Sequence, residues 1–200
     1  MRWPNALLLS GTLAALSAPP AAAGTTQSLF DGRSMKGWRE AGTATFDVKN
    51  RTLRSTAGAG QLGLLYYARR TYRDFELTLQ FRAAEGANSG VHLRFPKPGG
   101  CSWIDCGYEV QINDTAADPR KTGSIYAFKD LDAAKAHVQP PNTWTRLTIR
   151  VKRQTYTIYR DGKRINRYRG SRRRSGYIGL QAHGGPQDVV AFRAIRIRTL

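Results

Sequence analysis

Polar and apolar residues alternate along two short segments of this chain, residues 107–113 and 176–183. Successive side chains of a β-strand point to opposite faces, so this period of two predicts strands that are apolar on one face and polar on the other. The polar faces carry one carboxylate, three amides and one imidazole: Glu109, Gln111, Asn113, Gln181 and His183. Such groups on rigid strands are typical of a site for a polar ligand.

Strand-like segments follow one another through the rest of the chain. They lie at residues 38–48, 52–55, 63–67, 75–82, 90–95, 123–128, 144–151, 156–160, 163–168 and 189–197. Between two of them, Asp161 and Gly162 are typical of a tight hairpin turn, which needs positive φ values. No segment keeps a helical period, although residues 131–136 are compatible with a single helical turn. This pattern predicts an all-β fold, a two-sheet antiparallel sandwich that forms one domain over residues 28–200.

The strands fall into two groups according to the face that points away from the core. The strand at residues 75–82 places Glu, Thr, Gln and Arg there, as solvated faces usually do. The strand at residues 90–95 instead adds His92 and Arg94 to the polar set described above. We therefore expect a convex sheet that faces solvent and a concave sheet that binds a ligand.

The N-terminus has the pattern of a secretory signal peptide. A basic start at Arg2 precedes an apolar run at residues 6–18 and three alanines at residues 21–23. The run is short for a membrane span, which takes about 20 residues, although an uncleaved anchor is the alternative. We expect cleavage after residue 23, no integral membrane segment afterwards, and a periplasmic or secreted protein.

Cys101 and Cys106 are the two cysteines of the chain. In an oxidising compartment a pair so close in sequence favours a local disulfide. A zinc site would need more ligands than this loop offers. The bridge would close a small loop immediately before the strand that carries Glu109, where it would brace the rim of the site.

The chain is strongly basic, with 32 Lys and Arg against 14 Asp and Glu and a formal net charge of +18. Such a charge favours anionic polymers or headgroups. The basic residues are widely spread, however, and residues 172–174 form the one dense run. Since no nucleic-acid-binding motif accompanies them, we expect no nucleic-acid partner, and a solvated Arg-rich surface is the simpler interpretation.

Several ordered motifs lie along residues 28–197. They are residues 28–32 (SLFDG), 37–38, 75–77, 88–94 (NSGVHLR), 107–112 (GYEVQI), 122–126 (TGSIY), 142–144, 176–184 (GYIGLQAHG) and 190–197. In this order they resemble the 3-keto-disaccharide hydrolase family. The resemblance implies a concanavalin A-like, laminin-G-like jelly roll. The paired cysteines depart from the family pattern, as does Ala194, which stands where the family often has Asn.

The resemblance also implies an activity, the cleavage of 3-keto-glycosides or 3-keto-disaccharides by elimination and hydration. A glucoside 3-dehydrogenase would be the partner that supplies the oxidised sugar. This chemistry needs a general acid, a general base and a group that stabilises an enolate. Glu109 and His183 fit the acid and base roles in either order, and Arg94 could stabilise the enolate. Six side chains are candidates for holding the sugar: Asn88, His92, Gln111, Tyr126, Gln181 and Trp103.

Structural alternatives exist for these residues. Glu109 could form an ion pair with Arg94 across strands, and His183 could be a turn histidine bonded to the backbone. Trp38 and Trp144 are expected to pack within the sandwich, whereas Trp103 is the better candidate for stacking on a sugar. A divalent metal such as calcium would suit a carboxylate, an imidazole and amide oxygens, but no ligand spacing requires one.

Two other functions remain open at this level. Jelly-roll sandwiches also serve as non-catalytic carbohydrate-binding modules, because the fold alone does not determine activity. The basic composition is compatible with a periplasmic protein that binds polyanions.

Overall fold

Two antiparallel sheets stack face to face in the computed structural model of this protein, which describes Met1, residues 24–56 and residues 61–200. In chain order the elements are β1 (Thr26–Ser28), β2 (Trp38–Gly42), β3 (Phe46–Lys49), β4 (Thr52–Ser55), β5 (Gly63–Tyr67), β6 (Phe75–Ala83), β7 (Ser89–Phe95), α1 (Trp103–Cys106), β8 (Tyr108–Ile112), α2 (Ala133–Ala136), β9 (Thr145–Lys152), β10 (Thr155–Arg160), β11 (Lys163–Arg169), β12 (Tyr177–Ala182) and β13 (Val190–Thr199). The eight-stranded sheet has the order β11-β10-β9-β6-β13-β4-β3, with β1 also paired to β13. The five-stranded sheet has the order β2-β5-β12-β7-β8. The all-β sandwich predicted from the sequence is confirmed.

The core lies between the sheets and follows the period of two. In β6, Phe75, Leu77, Leu79 and Phe81 are buried, and the intervening residues are half-buried or exposed. In β8, Tyr108, Val110 and Ile112 face the same core. Each such side chain contributes about 1.5–3 kcal/mol through removal of its apolar area from water. This burial fixes the register of β8 and thereby directs Glu109 and Gln111 to the outer face of the five-stranded sheet.

Two of the predicted strands are wrong in detail. Residues 38–48 do not form one strand but split into β2 and β3, which belong to different sheets, because Gly42 turns the chain with a φ of 83°. Residues 123–128 form no strand either, since Gly123 and Ala127 both have positive φ. There Ile125 makes isolated bridges to Val110 and Lys129. The single helical turn expected at residues 131–136 is present as α2.

Two tryptophans differ in their packing. Trp38 is buried in the core and donates its indole N–H to the carbonyl of Leu29 at 2.7 Å, as expected. Trp144 is not in the core: the guanidinium carbons of Arg82 and Arg193 lie 5.0 and 3.9 Å from its ring centroid. The expectation of core packing was therefore wrong for Trp144.

The expected signal peptide at residues 1–23 lies, apart from Met1, outside the described residues. Among the residues that are described, no helix is long and apolar enough to cross a membrane.

Candidate functional site

A small cleft lies on the outer face of the five-stranded sheet, where β8, β7 and β12 are neighbours. Its volume is about 90 Å³. The lining comprises two apolar and seven polar side chains: Leu62, Ile104, Asn88, Glu109, Gln111, Asp118, Tyr126, Gln181 and His183. The structure thus brings together six of the residues that the sequence suggested and adds Asp118.

Glu109 is the buried acid of this cleft, with only 4% of its surface exposed. Burial raises the pKa of Glu109 to about 8, although the nearby positive charge of Arg120 acts in the opposite direction. Gly90 on β7 makes room for this side chain, because a Cβ at that position would collide with the Glu109 carboxyl group. Glu109 is therefore protonated at neutral pH and able to donate a proton.

His92 lies directly opposite Glu109 in the β7–β8 register. Its Nε2 is 3.8 Å from Glu109 Oε2 and 3.4 Å from the Gln181 side-chain nitrogen. The ring is completely buried, and this burial lowers the pKa of His92 to about 3. His92 is thus a neutral neighbour of Glu109 and does not itself line the cleft.

The two glutamines of the cleft each keep an unused acceptor. Gln111 donates to Asn88 Oδ1 at 3.0 Å, but its own Oε1 is buried without a hydrogen-bond partner among the described residues, as is Oε1 of Gln181. An unsatisfied buried polar atom costs about 1–3 kcal/mol. Such atoms lining one cleft are the expected consequence of a site where a polar ligand supplies the missing donors.

His183 is held by a carboxylate that the sequence reasoning missed. Its Nδ1 lies 2.8 Å from Oδ2 of Asp188, which is buried and also accepts from the backbone N–H groups of Gly185 and Asn88, each at 2.8 Å. Because a carboxylate can only accept, Nδ1 carries the proton and Nε2 is left free. The His183 side chain is 44% exposed, so Nε2 is accessible to a ligand. The alternative of a turn histidine bonded to the backbone is therefore wrong. In the sequence, the signal for the partner of His183 was a carboxylate five residues later, beyond a glycine turn.

The loop at residues 114–122 adds a second carboxylate and a cation. Asp118 accepts from Arg120 Nε at 2.9 Å and Nη2 at 2.7 Å, and these bonds lower the pKa of Asp118. The guanidinium of Arg120 lies 4.3 Å from the ring centroid of Tyr126. Asn113 does not point into the cleft but braces the loop by donating to the carbonyls of Asp118 and Arg120. The sequence offered no signal for this pair, because its position depends on the loop conformation.

Arg94 is not in the cleft. A register shift opposite Tyr177 and Ile178 accompanies a φ of 55° at Arg94 and turns its side chain towards the eight-stranded sheet. There Arg94 is fully buried, donates to the carbonyls of Arg73 and Arg153, and lies 3.1 Å from Asp74. The expected place beside His92 on the polar face is therefore wrong, as is the suggested ion pair with Glu109.

The cysteines form the expected disulfide, with Cα atoms 6.0 Å apart. The bridge closes α1, whose Ile104 reaches the cleft. Trp103 of the same turn packs against an apolar cluster beside the cleft, which comprises Leu64, Tyr66 and Phe95. Its indole N–H is buried without a partner among the described residues.

The cleft offers few carboxylate ligands for a divalent cation. Calcium takes six to eight oxygen ligands. Two carboxylates line the cleft, Glu109 and Asp118, and both oxygens of Asp118 accept from Arg120. Within residues 24–56 and 61–200, no three His, Cys, Asp or Glu side chains group in a way that could hold a metal ion.

The chain matches a known family and several solved structures. The sequence profile described as "3-keto-alpha-glucoside-1,2-lyase-like domain" matches residues 25–198. No protein of curated function matches the chain by sequence. A candidate glycosyl hydrolase from Parabacteroides distasonis superposes with a TM-score of 0.72 at 22% identity, covering 88% of this chain and 100% of that one.

More distant structures share the sandwich. The carbohydrate-binding module CBM66 from Bacillus subtilis gives a TM-score of 0.58 at 15% identity, covering 82% of this chain and 96% of its own. The lumenal domain of VIP36, in a form bound to Ca²⁺ and Man3GlcNAc, gives 0.60 at 16% identity, covering 86% and 88%. At these identities the structures establish the jelly-roll fold, and the matched family suggests a carbohydrate-related function.

Proposed function

This chain belongs to the 3-keto-alpha-glucoside-1,2-lyase-like family, and from that membership we propose that it cleaves glycosides already oxidised to a ketone at carbon 3. One observation carries the proposal. A protonated carboxyl group, Glu109, and an imidazole with a free Nε2, His183, line the same cleft. The environments of the two groups separate an acid from a base, as elimination requires.

The reaction proceeds by elimination followed by hydration. The ketone acidifies the proton on C2, and His183 Nε2 removes it, leaving the electron pair as an enolate over C2, C3 and the ketone oxygen. The enolate expels the C1 substituent, and Glu109 protonates the departing oxygen. Water then adds to C1 of the unsaturated sugar and a proton returns to C2, so that the net reaction is hydrolysis.

Asp188 acts on this chemistry through His183. It holds Nδ1–H, fixes the tautomer in which Nε2 is the base, and stabilises the imidazolium that forms after proton removal. Asp188 is therefore a positioning residue. We therefore propose His183 as the base and Glu109 as the acid, a choice that the sequence left open.

Arg120 takes the stabilising role that the sequence assigned to Arg94. Its charge lowers the pKa of Glu109 against the opposite effect of its partner Asp118, and it would favour an enolate formed in the same cleft. Gln111 and Gln181 turn amides towards the sugar, and Asn88 and Tyr126 complete the lining.

The cleft admits only the reacting part of a sugar. Its volume of about 90 Å³ is well below the roughly 300–1,000 Å³ of typical small-molecule sites. The remainder of the substrate would extend over the open face towards Trp103 and Tyr177, the partly buried aromatic residues that pack against the cluster of Leu64, Tyr66 and Phe95. The rings of Trp103 and Tyr177 suit the apolar face of a sugar or an aryl aglycone.

Asp118 raises the alternative of ordinary glycoside hydrolysis by two carboxylates. Both of its oxygens are engaged by Arg120, which leaves it a poor nucleophile. We therefore favour elimination, and an unoxidised glycoside distinguishes the two reactions because only the two-carboxylate reaction would cleave it.

The setting of the reaction is also part of the proposal. A signal peptide at residues 1–23 would export the protein, and the disulfide between Cys101 and Cys106 suits an oxidising compartment. A glucoside 3-dehydrogenase would supply the 3-keto substrate. No step depends on calcium, although VIP36 was solved with Ca²⁺ bound.

The test is sugar release from 3-keto-disaccharides and 3-keto-aryl-glucosides, with and without a chelator. We expect release that survives chelation and falls about 10²–10⁴-fold in His183→Ala and in Glu109→Gln. His137→Ala and Glu85→Gln remove an exposed histidine and an exposed glutamate outside the cleft and should leave the rate unchanged. Full activity of both cleft variants would refute the assignment.

A carbohydrate-binding module is the second candidate. The fold shared with CBM66 and the unpaired amide oxygens of Gln111 and Gln181 favour it. Calorimetric binding of a 3-keto-sugar or its parent without turnover under any condition would support the module and contradict the enzyme.

A further inference from the structure

A groove of about 530 Å³ lies on the outer face of the eight-stranded sheet, far from the chemistry proposed above. Its lining contains five cationic side chains, two threonines and a tyrosine, and no carboxylate: Arg150, Lys152, Arg153, Arg164, Arg167, Thr155, Thr157 and Tyr159. We call this the basic groove. The sequence assigned this face to solvent alone.

The cations of the basic groove are exposed, and their side chains are unpaired among the described residues. All five residues are exposed, and within the part of the chain that the structure describes none of their side chains takes part in an ion pair or a hydrogen bond. The carboxylate opposite Arg150 in the β6–β9 register, Glu76, is itself paired with Arg198 at 3.1 Å. Like charges crowded on one surface repel one another, so this groove favours an anionic ligand that neutralises them.

Strand pairing places the cations in rows. Arg167 on β11 is opposite Thr157 on β10, which is opposite Arg150 on β9. These two arginines are therefore separated by two strand spacings, about 10 Å, with a hydroxyl between them. In the adjacent row, Arg164 is opposite Tyr159. Alternating guanidinium and hydroxyl groups offer both ionic contacts and hydrogen bonds to a polymer with acidic and neutral oxygens.

The basic groove continues into two others. A groove of about 440 Å³ shares Lys152, Arg153 and Thr155 with it and adds three arginines together with Asp74, which is paired with Arg94. A groove of about 560 Å³ shares Tyr159, extends along β6 and β13, and includes Glu76, which is paired with Arg198. A linear ligand could thus follow the sheet across several strands.

From these observations we propose that the basic groove binds an anionic polysaccharide, one that carries carboxylate or sulfate groups. The inference goes beyond the proposed reaction and does not depend on it. Such binding would hold the protein on a charged glycan, with the cleft of the five-stranded sheet on the opposite face free to act.

Other polyanions fit this face less well. Single-stranded nucleic acids need aromatic side chains on which bases stack, and Tyr159 is the single aromatic residue of the basic groove. Reading a duplex requires a helix or ribbon that enters a groove, which a sheet face does not supply. A membrane surface needs exposed apolar anchors, and the exposed large hydrophobic residues of the described chain, Met1, Phe128 and Leu200, do not line it.

The test is direct binding of polygalacturonate and of dextran sulfate, with neutral dextran, duplex DNA and anionic phospholipid vesicles as comparison ligands. In a triple variant, Arg150→Glu, Arg164→Glu and Arg167→Glu, we expect affinity for one or both anionic polysaccharides to fall about tenfold or more. Binding by the parent protein should weaken as salt rises from low to high concentration.

A matched control changes the same charge elsewhere. Arg33→Glu, Lys36→Glu and Lys97→Glu alter three exposed cations outside the basic groove and should change affinity less than about threefold if the site is local. Equal losses in both triple variants, unchanged binding in the groove variant, or tighter binding of DNA or vesicles than of either polysaccharide would overturn the proposal. Unchanged thermal midpoints would show that the losses do not come from unfolding.

Discussion

Replacing Glu109 with Gln should stabilise the fold while removing activity. The pKa of this carboxyl rises from an ordinary 4.5 to about 8 because the group is buried. Between these values the folded protein keeps a proton that the unfolded chain has lost, so stability falls as pH rises. Gln is a neutral side chain of similar shape and does not carry this cost.

The magnitude follows from the pKa values. Each pH unit within the window is worth about 1.4 kcal/mol. At pH 7 the window from 4.5 spans 2.5 pH units, which gives about 3 kcal/mol in favour of Glu109→Gln, and above pH 8 the gain levels off near 5 kcal/mol. For a chain of this length, 3 kcal/mol corresponds to roughly 6–12 °C in the thermal midpoint.

The assay is urea and thermal unfolding of the parent and the variant at pH 4, 7 and 8.5. The difference in free energy of unfolding should be near zero at pH 4 and grow with pH. His92 is buried as a neutral ring, with its pKa lowered from 6.5 to about 3, and so adds stability as pH rises through that range. It is present in both proteins and cancels. Glu85→Gln, which makes the same substitution at an exposed position outside the cleft, is the control.

Two outcomes would refute this reasoning. A difference that does not vary with pH would mean that Glu109 is ionised in the folded protein. A variant less stable than the parent at pH 8.5 would mean that the carboxylate has favourable partners that outweigh its burial. Either result would also remove Glu109 as the general acid.

Two further substitutions probe the site and two probe the sheets outside it. Gly90→Ala should displace the Glu109 side chain. It should lower stability by about 1–3 kcal/mol, measured by urea unfolding, and should lower turnover, measured by steady-state kinetics. His183→Ala should lower kcat with little change in KM, and its residual activity should still fall as pH rises past about 8, where Glu109 ionises. Arg94→Met should cost about 3–5 kcal/mol of stability without altering the kcat of the protein that remains folded, because the side chain lies outside the cleft. In β13 the register shifts between Arg193 and Arg196, and Ala194 within this bulge has a φ of 50°. Ala194→Gly should therefore raise stability by about 1 kcal/mol, and an unchanged thermal midpoint would contradict the strain assigned to Ala194.

The sequence was sufficient for the all-β sandwich, for most of its strands, and for the polar face of β8. The period of two in β8 put Glu109 and Gln111 on one face, because the apolar residues between them have only the core to enter. The same rule failed at Arg94, where a bulge with positive φ reverses the side chain. Bulges break the period that the prediction depends on, and no residue type marked this one.

Loop-borne groups lay beyond sequence reasoning for a different reason. Asp118 reaches the cleft, and Asp188 and Arg120 reach their partners beside it, through turns whose conformations depend on tertiary hydrogen bonds, such as those from Asn113. Ala194 illustrates the reverse case. The Asn that the related family often has at this position tolerates the left-handed region, and the observed φ of 50° explains that preference in retrospect.

The central claim is that a 3-keto sugar is cleaved by elimination and hydration at the cleft of the five-stranded sheet. The most direct measurement is incubation of a 3-keto-disaccharide and its unoxidised parent in D₂O, followed by mass spectrometry of the released 3-keto sugar at short times. A substrate-only incubation corrects for spontaneous exchange beside the ketone. The account predicts that only the 3-keto substrate releases sugar and that the released sugar gains one deuterium at C2. Glu109→Gln and His183→Ala should abolish this deuterated product. Release from the unoxidised disaccharide, or cleavage of the keto sugar with no deuterium at C2 beyond that control, would contradict it.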